Sequence, residues 1–108
     1  MNGEVNYPTP ADRELFDHLV EELGEVLQEI GKIGRHGLDR RYGALDNRER
    51  LELEIGHVRA AIDLLLERLI VDVGALENAR IKKLATIQQW LHHPENVAAA
   101  RALIEASE

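Results

Sequence analysis

The sequence predicts an all-α chain: an antiparallel helical bundle of two long and two shorter helices, completed by homo-oligomerisation. Three observations predict it. Two long runs, residues 10–35 and 46–70, carry apolar residues at helical spacing, and no run alternates with the period of a strand. Aromatic residues make up only 4%, so the core must come from Leu, Ile, Val and Ala. A helix of about 25 residues is roughly 37 Å long, against a radius of gyration near ~13 Å for a compact domain of this size. Two shorter helices cannot cover two such long ones, and association with further copies is the natural remedy.

Each element has its own justification. Residues 1–9 are polar and aperiodic and read as a flexible lead-in; residues 10–108 are expected to form a single domain. Thr9 is the N-cap of the first helix, with Pro10 at its first position and Asp12 and Glu14 in its first turn. That helix runs to about Arg35, with Gly37 as its C-terminal stop. Gly24, Gly31 and Gly34 inside it cost helix propensity, which suggests that a backbone or ligand approaches closely there. Residues 38–46 read as a loop. Asp46 or Asn47 caps a second helix that extends to about Ile70. Asp72 caps a third helix ending near His92, and Pro94 opens a short, Ala-rich fourth one.

The formal charge of −7 argues against nucleic-acid binding, which needs a basic footprint, though a nucleotide held through a metal stays compatible with it. With no cysteine, disulfides and thiolate zinc sites are excluded. No apolar run is long enough to span a membrane and no signal-peptide pattern stands at the N-terminus, so a cytoplasmic location is the expectation.

The chemistry concentrates in two short stretches, Glu21-Glu22-Leu23-Gly24-Glu25 and Glu54-Ile55-Gly56-His57. Side chains three apart share one helix face. At about 100° per residue, with Glu22 at zero, Glu25 falls near −60°. Leu15, Leu19, Leu23, Val26, Ile30 and Ile33 then fill an arc from roughly +20° to +100°. The second helix repeats the pattern: with Glu54 at zero, His57 falls near −60° and Leu51, Ile55, Val58, Ile62, Leu65 and Leu69 fill the same arc. Packing the two stripes together brings four polar ligands to one seam, the arrangement a cation needs. Glu14 and Glu21 fall on the surface.

The pattern EExxE, then 28 intervening residues, then ExxH is similar to the EExxE…ExxD signature of the MazG-like, all-α nucleoside triphosphate pyrophosphohydrolases. The segments EELGEVLQEIGKIGRHG and NRERLELEIGHVRAAIDLLLE resemble small, phage-type members, and ARIKKLATIQQWLHH resembles their third helix more loosely. The resemblance covers residues 21–93. It implies cleavage of a (d)NTP to a (d)NMP and pyrophosphate with Mg²⁺, or Mn²⁺ as the alternative; the association expected from the helix lengths would make the protein a homodimer or homotetramer. It also implies catalytic and metal-ligating roles for Glu22, Glu25 and Glu54. His57 stands where the family has its last acidic ligand; this removes a negative charge and tilts the site toward metals that accept imidazole. Lys32, Arg35, Lys82 and Lys83 are candidates for holding phosphate charge, and Asn78 for touching base or sugar.

Two other readings compete. Glu54-x-x-His57 is also the spacing of di-iron and di-manganese carboxylate bundles. Because of His57, the chain could alternatively be a non-catalytic helical oligomer that binds a nucleotide or another protein.

Overall fold

The computed structural model describes residues 4–108. Four helices and one two-stranded hairpin follow in the order α1 (Pro10–His36), β1 (Arg41–Tyr42), β2 (Leu45–Asp46), α2 (Asn47–Glu67), α3 (Val73–Ile87) and α4 (Pro94–Ala106). The class is all-α, as expected, with one small departure. Contacts within the span expected to be one domain cluster into two compact units, Met1–Ile70 and Val71–Glu108. Of the expected lead-in, residues 1–3 lie outside the described residues, and residues 4–9 are exposed with no regular structure. Among the described residues no helix is long and apolar enough to cross a membrane.

In the first unit α1 and α2 form an antiparallel pair. Asn47 meets Gly37, His57 meets Glu22 and Arg68 meets Asp12, so partner numbers fall along α1 as they rise along α2. Both helices begin with reciprocal capping boxes. The Thr9 hydroxyl accepts from the Asp12 N–H while the Asp12 carboxylate accepts from the Thr9 N–H, and Asp46 and Glu49 do the same for α2. Asp12 also holds the far end of the pair, through an ion pair of 3.1 Å with Arg68.

The connection expected to be a plain loop contains an antiparallel ladder, with Arg41 opposite Asp46 and Tyr42 opposite Leu45. Gly43, at φ 69°, opens its two-residue turn, which demands a positive φ at that position. Strands of two residues are too short to show a period. Asp46 is the N-cap, and Asn47 does something else: it is fully buried and its amide Nδ2 donates to the Gly37 carbonyl at 3.0 Å. That bond ties the end of α1 to the start of α2. Gly37 closes α1 at φ 88° and ψ 167°, a region open to essentially no other residue.

Helix α2 stops at Glu67, three residues before the expected Ile70. Leu69 takes φ 58°, and the Ile70 N–H reaches back to the Leu65 carbonyl at 3.0 Å. This is a left-handed helix stop with leucine where glycine is usual, which made the stop invisible to a search for glycine.

The α1–α2 contact does not run down the middle of the apolar arcs. The buried residues of α1 are Glu22 and Glu29, and those of α2 are Asn47, Ala61 and Leu65. The pair meets along the acid-side part of the arcs, where Leu65 is buried and Leu15, Leu19, Val26, Leu51 and Val58 are half-buried beside the acids. Leu23 and Ile30 of the α1 arc and Ile55 of the α2 arc are therefore exposed, whereas Leu69 is exposed because it lies past the end of α2. The close approach inferred from the α1 glycines does not occur among the described residues: a Cβ on Gly24 or Gly34 would meet nothing of them within 4 Å, and one on Gly31 only the Arg35 guanidinium.

In the second unit α3 and α4 also run antiparallel, with Arg80 bonded to Ser107 and Arg101 to Gln88. Asp72 caps α3, accepting from the Ala75 N–H, and Pro94 stands in the first turn of α4, both as expected. Helix α3 ends at Ile87 rather than near His92, and a 3-10 turn at Gln88–Trp90 follows. Pro94 disfavours helix in the residue before it, so the chain is extended at His93. Ala100 is the buried residue of this unit.

The two helix stops make opposite predictions. Leu69→Gly should raise unfolding free energy by about 1 kcal/mol, since it removes left-handed strain at an exposed site. Gly37→Ala should lower it by about 1–3 kcal/mol. Urea unfolding measures both, and equal effects of the two changes would contradict the assigned stops.

Candidate metal centre

Glu22 and Glu25 project from α1 and Glu54 and His57 from α2, and one ligand atom from each lies within 4.8 Å of all the others. The four residues singled out by spacing are thus brought together, and the group could hold a metal ion. The antiparallel register explains the convergence: an i, i+3 pair on each helix faces its counterpart across the seam.

Glu22 Oε2 and Glu54 Oε2 are buried with no hydrogen-bond partner. His57 Nδ1 approaches them at 3.2 Å and 3.7 Å, close enough for ion pairing when protonated but outside hydrogen-bond geometry. Lone pairs are therefore left over on two helices, aimed at one place. Buried oxygens in that condition are costly unless a proton or cation meets them. The donor set of three carboxylates and one imidazole fits a divalent cation; its oxygens suit Mg²⁺ or Mn²⁺, and the imidazole favours the latter.

Glu54 records the crowding. A hydrogen-bonding interaction with Glu25, then burial, then the charge of Glu25 push its carboxyl above the ordinary carboxylate range; Glu22 adds to this and His57 opposes it.

Glu29 was missed by the spacing argument. It is buried, its Oε1 meets Lys32 Nζ at 3.0 Å, and its Oε2 has no hydrogen-bond partner. Its place seven residues after Glu22, near −20° on the same wheel by the estimate of about 100° per residue, was the available signal. Glu14 and Glu21 are exposed, as expected. His18 stands 4.0 Å from Glu22 as a second imidazole at the margin.

Of the residues expected to hold phosphate, Lys32 and Arg35 line a cleft of about 330 Å³ with His36, Tyr42 and Arg50. Asn78, Lys82 and Lys83 are exposed on α3, in the second unit. A larger concavity, about 570 Å³, is lined only by residues of the first turns of α1 and gathers none of the cluster.

No family model matches the chain, and no curated protein or solved structure does either.

The raised Glu54 pKa fixes the sign of a pH effect. The folded protein holds a proton there more tightly than the unfolded chain, so this group's stabilising contribution is present at low pH. It is lost as pH rises through the raised value. In the absence of metal, the Glu54 share of thermal stability should therefore fall as pH rises above the ordinary carboxylate value and through the raised one. Glu54→Gln should be more stable than the parent at neutral pH and lose this part of the slope. Parallel slopes for parent and variant in thermal melts with chelator would contradict the assignment.

Proposed function

We propose that the chain is a metal-dependent nucleoside triphosphate pyrophosphohydrolase that cleaves a (d)NTP to a (d)NMP and pyrophosphate. The observation that carries this reading is the convergence of Glu22, Glu25, Glu54 and His57, with unpartnered buried oxygens, from two antiparallel helices. The resemblance of the two segments that hold those residues to MazG-like enzymes supplies the reaction class.

A bound Mg²⁺ or Mn²⁺ would neutralise phosphate charge and orient the attacking water. The chain's own residues do the rest. Glu22, Glu25 and Glu54, with His57, would hold that ion at the seam, beside the α-phosphate. Glu54 accepts a proton from the water that attacks the α-phosphorus. The bond from that phosphorus to the bridging oxygen breaks, and pyrophosphate leaves with the electron pair. Lys32 and Arg35 meet the negative charge that develops on it. His57 contributes one charge less than an aspartate would, which weakens Mg²⁺ binding.

Homo-oligomerisation belongs to the same reading. Val20, Leu23, Leu27 and Ile30 expose 69, 46, 70 and 52% of their surface along one side of α1. An apolar stripe of this kind is characteristic of an association surface. A second copy would cover it, in a homodimer or homotetramer.

One observation favours a second reading. A protonated His57, 3.2 Å from Glu22 Oε2, can itself serve as the seam's cation. The cluster would then be structural and the chain a non-catalytic helical oligomer.

Three outcomes distinguish these readings. Glu25→Gln should lower Mg²⁺-dependent pyrophosphate release by at least about a hundredfold, more than outer-shell changes at metal sites commonly cost, while Glu21→Gln should leave it unchanged. A parent protein inactive on the full nucleotide panel with both metals would remove the enzymatic reading. His57→Asp should raise Mg²⁺ affinity and turnover, and Mg²⁺ should raise its thermal midpoint more than the parent's; an identical Mg²⁺ response would show that His57 does not face the ion. Leu27→Lys should convert the oligomer to monomer in light scattering, whereas a monomeric parent at micromolar concentration would contradict the association surface.

A further inference from the structure

The break between α2 and α3 stands where the two compact units divide, Met1–Ile70 and Val71–Glu108. It is made by backbone conformation rather than by helix-breaking residues. No proline occurs between Asp46 and His93, and no glycine between Gly56 and Gly74. Leu69 turns the chain at φ 58°, the one left-handed residue other than glycine among those described. A leucine in that conformation crowds its Cβ against the following carbonyl. Its side chain does nothing to offset the cost, being 86% exposed. Strain of this kind gathers at segments that switch.

The sequence carries the apolar pattern of α2 straight through the break. With Glu54 at zero and about 100° per residue, Leu51, Ile55, Val58, Ile62 and Leu65 lie between roughly +20° and +100°. Continued as helix, Leu69, Val73 and Leu76 fall at about 60°, 100° and 40°, inside the same arc. These three are the exposed large apolar residues between Leu65 and Trp90. The stop thus scatters three side chains that one unbroken helix would keep in a single row.

The two backbone arrangements are closely matched in bonds. In the stop, the Ile70 N–H reaches the Leu65 carbonyl at 3.0 Å and the Leu69 N–H that of Leu66 at 3.0 Å, while Asp72 accepts from the Ala75 N–H at 2.8 Å. In an unbroken helix each N–H from Leu69 to Ala75 meets the carbonyl four residues earlier. Arg68 already makes that bond, to Leu64 at 3.0 Å, and so does Leu76, to Asp72 at 3.0 Å. Only residues 69–72 need change conformation. The change relieves Leu69 and gives up the cap at Asp72.

We propose that residues 69–72 are a two-state hinge, which exchanges the observed stop with a continuous helix over residues 47–87, the latter populated at about 1–10%. In the straight state the row from Leu51 to Leu76 is unbroken and α3 moves as one rod with α2. In the stopped state the two helices are joined through a non-helical link. The hinge involves no metal or nucleotide, so it stands or falls apart from the pyrophosphohydrolase reading.

Chemical-exchange saturation transfer NMR on the Cα resonances of residues 68–73 tests it. The parent should show a minor state in which Leu69, Ile70, Val71 and Asp72 all take helical shifts. Leu69→Gly relaxes the stop and weakens the helix, so it should cut that population at least about tenfold. Asp72→Ala removes a cap that only the stop uses and should raise it about fivefold. Arg59→Gln, exposed within α2, should leave it unchanged. A parent with no helical minor state at about 1% or more overturns the proposal. So does a minor state with disordered shifts at these residues, which is fraying, or a population that Leu69→Gly leaves intact. If Asp72→Ala does not fold, the parent and Leu69→Gly decide the matter alone.

Discussion

Three carboxylates that converge in a partly buried seam without enough donors are the constraint on which the first unit depends. Glu22, Glu25 and Glu54 repel one another, and burial weakens the solvation that would relieve them. Helix pairs of this length ordinarily meet along their apolar stripes. Here the contact is shifted to the acidic edge, where Glu22 and Glu29 are the buried residues of α1. Small Ala61 on α2 leaves room for the approach. The geometry is costly for an isolated pair and sensible for one that closes around a cation.

The remaining features of that unit keep the seam in register. Capping boxes fix where each helix begins, and Asn47 locks the end of α1 to the start of α2 through the Gly37 carbonyl. Asp12 and Arg68 hold the far end. A slip of one residue would rotate a ligand by about 100° out of the seam, so these end contacts position the site although none touches it. Shifting the contact toward the acids also uncovers the other side of the arc, which links the candidate metal centre to the exposed stripe of Val20, Leu23, Leu27 and Ile30.

Much of this was legible in the amino-acid order, for definite physical reasons. Glu22, Glu25, Glu54 and His57 could be placed together because helical spacing and their common offset from an apolar arc determine direction. Thr9 and Asp72 announced helix starts because an N-cap is chemistry of a single side chain. What escaped depended on contacts that periodicity does not encode. The wheel shows which residues share a side but not which part of a wide arc the partner takes, so the exposure of Ile30 and Ile55 was hidden. The two-residue strands fell below any detectable period, and the stop at Leu69 lacked its usual glycine. The basic cleft joins Lys32 and Arg35, which were singled out, to His36, Tyr42 and Arg50, which only the hairpin brings near.

The proposed function requires a divalent cation in the seam between α1 and α2. Anomalous diffraction from crystals equilibrated with Mn²⁺ tests it most directly. The expected result is a single strong peak per chain within coordination distance of Glu22, Glu25 and Glu54, with the carboxylate oxygens turned toward it. No peak at the seam, with His57 instead hydrogen-bonded to Glu22, would contradict it.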